Sequence, residues 1–230
     1  KKNNLAYWHA AISGKDEDYA KVSKLTLKIR KIYSNPKNFA MLKEMKASGE
    51  IKDETLTRQL DLLYNGFLEN QINPKLLKQI VDMGNEIEQN FSTFRGSING
   101  EKVTDNKIKE ILKTETDSEK RKQAWLASKQ VGPEVAGDLI KLVKLRNKAA
   151  QKLGYANYQV LSLTTAEQDV NELDKIFTEL YELTNEPYRK LKTELDGILA
   201  KNCGVSVDEL MPWHYHDPFF QETPLVYNVD

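Results

Sequence analysis

The run Gly132-Pro133-Glu134-Val135-Ala136-Gly137-Asp138-Leu139-Ile140-Lys141-Leu142-Val143-Lys144-Leu145-Arg146-Asn147-Lys148-Ala149-Ala150-Gln151-Lys152-Leu153-Gly154-Tyr155 reads as a helix with both ends marked. Proline near the start lacks a backbone donor where the first turn needs none, and its fixed φ suits helix entry. Leu139, Leu142, Val143, Ala149, Ala150 and Leu153 recur at helical spacing and share one face, with charged residues between them. Gly154 supplies the left-handed stop, and Tyr155 places an apolar residue behind it. A period near 3.6 over so many residues excludes a strand.

The same signals continue outward in both directions. Towards the N-terminus, residues 16–34 carry Val22, Leu25, Ile29 and Ile32 (or Tyr33) on one face, and Asn35-Pro36 ends that helix and opens the next, which runs to Ala47. Ser48-Gly49 closes it. A third helix spans residues 53–70 with Leu56, Leu60, Leu63, Tyr64 and Phe67 as its stripe, and Asn73-Pro74 starts a fourth that runs to about Asn90. Residues 92–104 break the pattern; Asn99-Gly100 is the favoured two-residue hairpin turn and predicts one small β-hairpin. Thr104 or Asp105 caps a further helix, and Thr116-x-x-Glu119 has the form of a capping box before Trp125 and Leu126. Towards the C-terminus a long helix covers residues 169–200, with Pro187 expected to kink or divide it. The sum is an all-α chain, an antiparallel array of about eight to ten helices with at most one hairpin. No linker-like composition separates independent domains, so residues 1–230 are expected to form a single helical lobe.

Composition narrows the partners. Lys plus Arg and Asp plus Glu each total 34 in 230 residues, so the formal net charge is zero. Nucleic acid as main partner calls for a basic excess that is absent. The charge-free stretch of residues 155–166 is too short and too polar to span a bilayer. Cys203 is the sole cysteine, so no internal disulfide forms. The sequence starts at Lys1 rather than Met, which leaves the compartment open between cytoplasm and export after removal of a leader.

Residues 211–224, Met-Pro-Trp-His-Tyr-His-Asp-Pro-Phe-Phe-Gln-Glu-Thr-Pro, gather three prolines, two histidines and four aromatic rings. Prolines so close together forbid a regular helix, and rings so dense are expected to be buried, which predicts a fixed extended segment packed against the helices. His214 and His216 would then alternate across it and point to opposite faces. A metal site here would have to draw His214 and His216 together with Glu222 or Asp217. The His-Glu-x-x-His pattern of zinc hydrolases does not occur in the sequence. Cys203, at a helix C-terminus, lacks an activating environment.

Two stretches carry a family resemblance. Leu142 to Tyr158, read as Leu-Val-Lys-Leu-Arg-Asn-Lys-Ala-Ala-Gln-Lys-Leu-Gly-Tyr-Ala-Asn-Tyr, resembles a motif of bacterial metallopeptidases related to angiotensin-converting enzyme, and Leu210-Met211-Pro212-Trp213-His214-Tyr215-His216-Asp217-Pro218-Phe219-Phe220-Gln221-Glu222 is similar to another of the same enzymes. Arg58 to Tyr64 and Ala124 to Lys129 fit the pattern too. The resemblance implies a zinc-dependent dipeptidyl carboxypeptidase of the peptidase M2 type, helical and built around a substrate channel. Zinc belongs to the complete enzyme by that resemblance, where a metal-activated water attacks the peptide carbonyl and a glutamate serves as base. No zinc is expected on this chain, and no catalytic residue is assigned to it. The expectation is therefore the N-terminal, substrate-channel lobe of such a peptidase, inert without a catalytic C-terminal half of the same protein. A non-catalytic helical peptide-binding or scaffold module is the alternative. Within the lobe, His214, Tyr215 and Gln221 are expected to approach a peptide substrate, while Trp213, Phe219 and Phe220 fill the core behind them.

Overall fold

The computed structural model describes residues 1–219, 221, 222 and 224. Its elements run α1 (Lys2–Ser13), α2 (Asp16–Tyr33), α3 (Pro36–Ser48), α4 (Glu54–Leu68), α5 (Pro74–Thr93), β1 (Ser97–Ile98), β2 (Glu101–Lys102), α6 (Asp105–Thr114), α7 (Ser118–Lys129), α8 (Val131–Lys152), α9 (Tyr158–Thr165) and α10 (Val170–Cys203). Two short 3-10 turns, Val207–Glu209 and Pro212–His214, follow. The chain is all-α with one small antiparallel hairpin, as its periodicity predicts. It divides into two compact units, one of residues 1–93 and 135–175 and the other of residues 94–134 and 176 onward.

In the first unit α1 packs on α2 through Ala6, Ala10, Tyr19 and Val22, small residues opposite large ones. Periodicity places the first helix at Asp16 and gives no sign of α1. The apolar residues of α1 surround its axis, since Ala6 and Ala10 are buried while Leu5, Trp8 and Ile12 are exposed, and no side chain caps its start. Pattern recognition needs one wet face and one dry face. Gly14, at φ 66°, ends α1 and donates its N–H to the Ala10 carbonyl at 2.8 Å. The α3–α4 hairpin closes over Leu42, Leu60 and Phe67, with Tyr33 edge-on to Phe67 at 5.3 Å between centroids. Full burial of one such leucine or phenylalanine contributes about 1.5–3 kcal/mol. Asn35 and Asp53 cap α3 and α4 through side-chain oxygens that accept the orphan N–H groups of the first turn. The helix α9, within the charge-free stretch, is also absent from the sequence reading; it is capped by Asn157 and buries only Leu161.

In the second unit β1 and β2 pair in the register Ser97–Lys102 and Ile98–Glu101, around Asn99 and Gly100 at φ 53° and 86°. Positive φ at both central residues is what makes Asn-Gly the favoured sequence. The hairpin lies against α7, and α6 and α7 share a core of Ile108, Leu112, Ala124 and Ala127. Gly96 is required there, because a Cβ at this position would stand 2.3 Å from the Ala127 carbonyl oxygen. The cap of α7 differs from expectation by one residue: Asp117, not Thr116, accepts the Lys120 N–H at 2.9 Å, and Glu119 instead lies 3.5 Å from Lys122. An aspartate one step closer to the helix is the better acceptor and displaces the box. Nor does Pro187 divide α10, which is continuous over 34 residues. Pro187 is exposed, as is Leu183 one turn earlier, so the Leu183 carbonyl that loses its donor can turn to water.

Candidate functional site

The proline and aromatic segment does not extend as a strand. Met211 is extended, Pro212 opens a 3-10 turn through His214, and Tyr215 returns to an extended conformation. The Met211 N–H donates to Nδ1 of His214 at 2.8 Å. A backbone N–H can only donate, so Nδ1 carries no proton and Nε2 holds the hydrogen, which meets Ser118 Oγ at 2.8 Å. Trp213 Nε1 donates to the same hydroxyl at 3.4 Å, and its ring stands edge-on to Trp125 at 6.1 Å.

Helix α7 therefore sets the position of this segment. One turn after Ser118, the guanidinium of Arg121 is 2% exposed and donates to three backbone carbonyls: Trp213 at 2.8 Å, Tyr215 at 3.2 Å and Glu115 at 2.6 Å. At the end of α7, Lys129 Nζ donates to the Pro218 carbonyl at 2.9 Å and stands 4.3 Å over the Phe219 ring. Ser118, Arg121, Trp125 and Lys129 fall at three- and four-residue intervals, so one face of one helix grips the segment at several places.

A groove of about 340 Å³ opens along the outer side of the segment, lined by Lys192, Leu210, Met211, Pro212, Tyr215 and Asp217, among others. Its polar centre is built by α10, where Lys192 and Asp196 stand one turn apart. Lys192 Nζ lies 2.8 and 2.7 Å from the two Asp196 oxygens and 2.6 Å from Tyr215 Oη, while Tyr215 Oη donates to Asp196 at 2.8 Å. Burial disfavours the Lys192 ammonium, but its bonds to Asp196 and Tyr215 outweigh that and hold its pKa above the ordinary lysine value. Burial, with the Asp196 carboxylate, raises the Tyr215 phenol against the pull of Lys192. Lys192 thus stays an ammonium and Tyr215 a neutral phenol at neutral pH. The trio presents fixed donors and acceptors rather than a group that exchanges protons. Asp217, 8% exposed, accepts the N–H groups of Phe219 at 3.1 Å and Gln221 at 2.7 Å, which shapes the backbone leading out of the groove.

These positions revise the sequence expectations. Tyr215 lines the groove and Gln221 is exposed beyond it. His214 does not open to a cleft: it is 1% exposed, with both ring nitrogens committed. Burial, together with the nearby Arg121 charge, pushes its pKa below the usual histidine value, and His216 is lowered by burial and by Arg121 and Lys113. Trp213 packs against the α6–α7 core as expected, but Phe219 is 67% exposed, because Lys129 holds its ring at the surface by a cation–π contact. Phe220 lies outside the described residues. Ser118, Arg121, Lys129, Lys192 and Asp196 were not singled out from the sequence. The one local signal was the helical spacing of the α7 residues, which surface lysines elsewhere in the chain share.

A metal reading of the segment is not met. Among the described residues no group of three or more His, Cys, Asp or Glu side chains converges. His214 has no free nitrogen, and Glu222 is ion-paired to Lys113 at 2.7 Å. Burial raises the Cys203 thiol pKa against the pull of Arg121. The described residues of the segment do not fit a zinc ion. Among the described residues no helix is long and apolar enough to cross a membrane.

The family model for angiotensin-converting enzyme, Peptidase_M2, matches residues 1–214. No curated protein and no solved structure matches the chain.

Proposed function

The chain belongs to the angiotensin-converting enzyme family, the M2 peptidases, and from that premise we propose that it forms the substrate-facing helical part of a peptidyl-dipeptidase acting on short peptides. The observation that carries this reading is the groove walled by Tyr215, with Lys192 and Asp196 behind its hydroxyl, in a segment fixed from beneath by α7. An extended peptide offers alternating backbone donors and acceptors, and a pre-formed wall of neutral phenol, ammonium and carboxylate answers both. Tyr215 and Gln221 face the peptide in this account. His214 positions them by locking the turn and does not touch substrate itself.

The metal that family membership implies is not held by the described residues, and His-Glu-x-x-His is absent from the sequence. We assign the metal ligands and the general base to a catalytic half of the same protein, outside these 230 residues. The chain alone then binds peptides without cleaving them. Titration calorimetry of the chain with short peptides, in the presence of equimolar zinc, tests this. Saturable heat with no dipeptide product is expected, and Tyr215→Phe should weaken binding by about tenfold, the equivalent of roughly 1.4 kcal/mol. Absence of heat across a varied peptide set, or release of dipeptides, would count against it.

A further inference from the structure

The first unit holds a second polar pocket, independent of the peptide-facing groove. It occupies about 380 Å³ where α8 meets α9 and is lined by Val143, Arg146, Asn147, Asn157, Tyr158 and Gln159. We propose that this pocket binds a small organic carboxylate.

Arg146 supplies the charge. Its guanidinium carbon lies 5.2 Å from the centroid of the Tyr158 ring, which holds the charged plane in place. Nε is buried and has no hydrogen-bond partner. Among the described residues, no hydrogen bond or ion pair ties Arg146 to another side chain or carbonyl. An arginine in a lined pocket without a carboxylate is uncommon, because an unmet buried donor costs about 1–3 kcal/mol. Arg30 gives the contrast: it lines a larger cleft of about 660 Å³ in the same unit, but it donates to Asn70 at 2.9 Å and sits 3.7 Å from Glu69. Arg30 has its anion already, and Arg146 does not.

The neighbouring amide oxygens are already engaged. Asn147 Oδ1 accepts the Tyr158 N–H at 3.0 Å, and Asn157 Oδ1 accepts the Val160 N–H at 3.0 Å. With both oxygens occupied at the start of α9, the side-chain NH2 groups remain as donors. The pocket thus presents one fixed positive charge and neutral donors, with no acidic residue in its lining. One guanidinium among amides suits a monoanion of planar geometry, whereas a doubly charged phosphate calls for further cations. Val143 and the Tyr158 ring add apolar wall, and the volume admits an organic acid rather than a bare ion.

The test is a titration of the 15N-labelled full chain with sodium acetate, followed by NMR at the Arg146 Nε–H and the Asn147 and Asn157 side-chain amides. Sodium chloride at matched ionic strength and inorganic phosphate are the comparison arms. Saturable shifts with acetate, absent with chloride and at least tenfold weaker with phosphate, are expected, and Arg146→Gln should weaken acetate binding at least tenfold. Arg146→Lys keeps the charge and loses the planar fork; it should bind more weakly than the parent while its backbone spectrum stays folded, which covers the case in which the glutamine variant unfolds. Shifts that merely follow ionic strength, phosphate binding tighter than acetate, or undiminished binding in a folded variant would overturn the proposal.

Discussion

Arg121 directs its hydrogen bonds to three backbone carbonyls, two of them in the segment that carries Tyr215. Removing the guanidinium strands those carbonyls in a buried place, so Arg121→Ala should lower stability by about 3 kcal/mol or more in urea unfolding, and Arg121→Lys should recover part of it. A loss below about 1 kcal/mol would mean that the segment is held by other contacts. The histidines make a pH prediction. His214 and His216 both have pKa values depressed in the folded state, so the unfolded chain binds more protons as pH falls below the usual histidine value. Stability is then fully present above about pH 7 and declines as pH drops through about 6.5 towards the folded values. The double variant His214→Asn, His216→Asn should lose less stability than the parent between pH 7.5 and 5; an unchanged loss would assign the effect to other groups. Tyr215 was legible in the sequence as a ring within a dense motif. Its partners Lys192 and Asp196 were not, because a Lys–Asp pair one helical turn apart looks like any solvated pair until a distant tyrosine lands on it.

At the scale of elements, helices with one wet and one dry face were readable almost to their ends, and Asn99-Gly100 fixed the hairpin. What escaped was α1, apolar around its circumference, and α9, too short and uncharged to show a period. The 3-10 turn at Pro212 escaped for another reason: prolines exclude an α-helix, but the choice between turn and strand is made by Met211 and His214 bonding across the turn. The hairpin is held to α7 by close backbone approach at Gly96. Gly96→Ala brings a methyl group to 2.3 Å from the Ala127 oxygen, so the hairpin must shift. A cost of about 1–3 kcal/mol in thermal unfolding is expected, with faster amide exchange at Ser97 and Val103. An unaltered melting curve would show that the hairpin accommodates the methyl freely.

For the whole molecule, the all-α class and the order of helices follow from periodicity, whereas the division into two units does not. Two of its three boundaries fall inside the continuous helices α8 and α10, and the third follows the end of α5. Family membership supplies the context of peptide chemistry, and the groove beside α7 supplies a place for the peptide. The most direct measurement is an NMR titration of the labelled chain with a short peptide bearing a free C-terminus. Saturable shifts centred on Lys192, Met211, Tyr215 and Gln221 are expected, with little change at the buried His214 ring and a peptide that remains intact. Shifts elsewhere with those residues silent, or cleavage of the peptide by this chain, would contradict it.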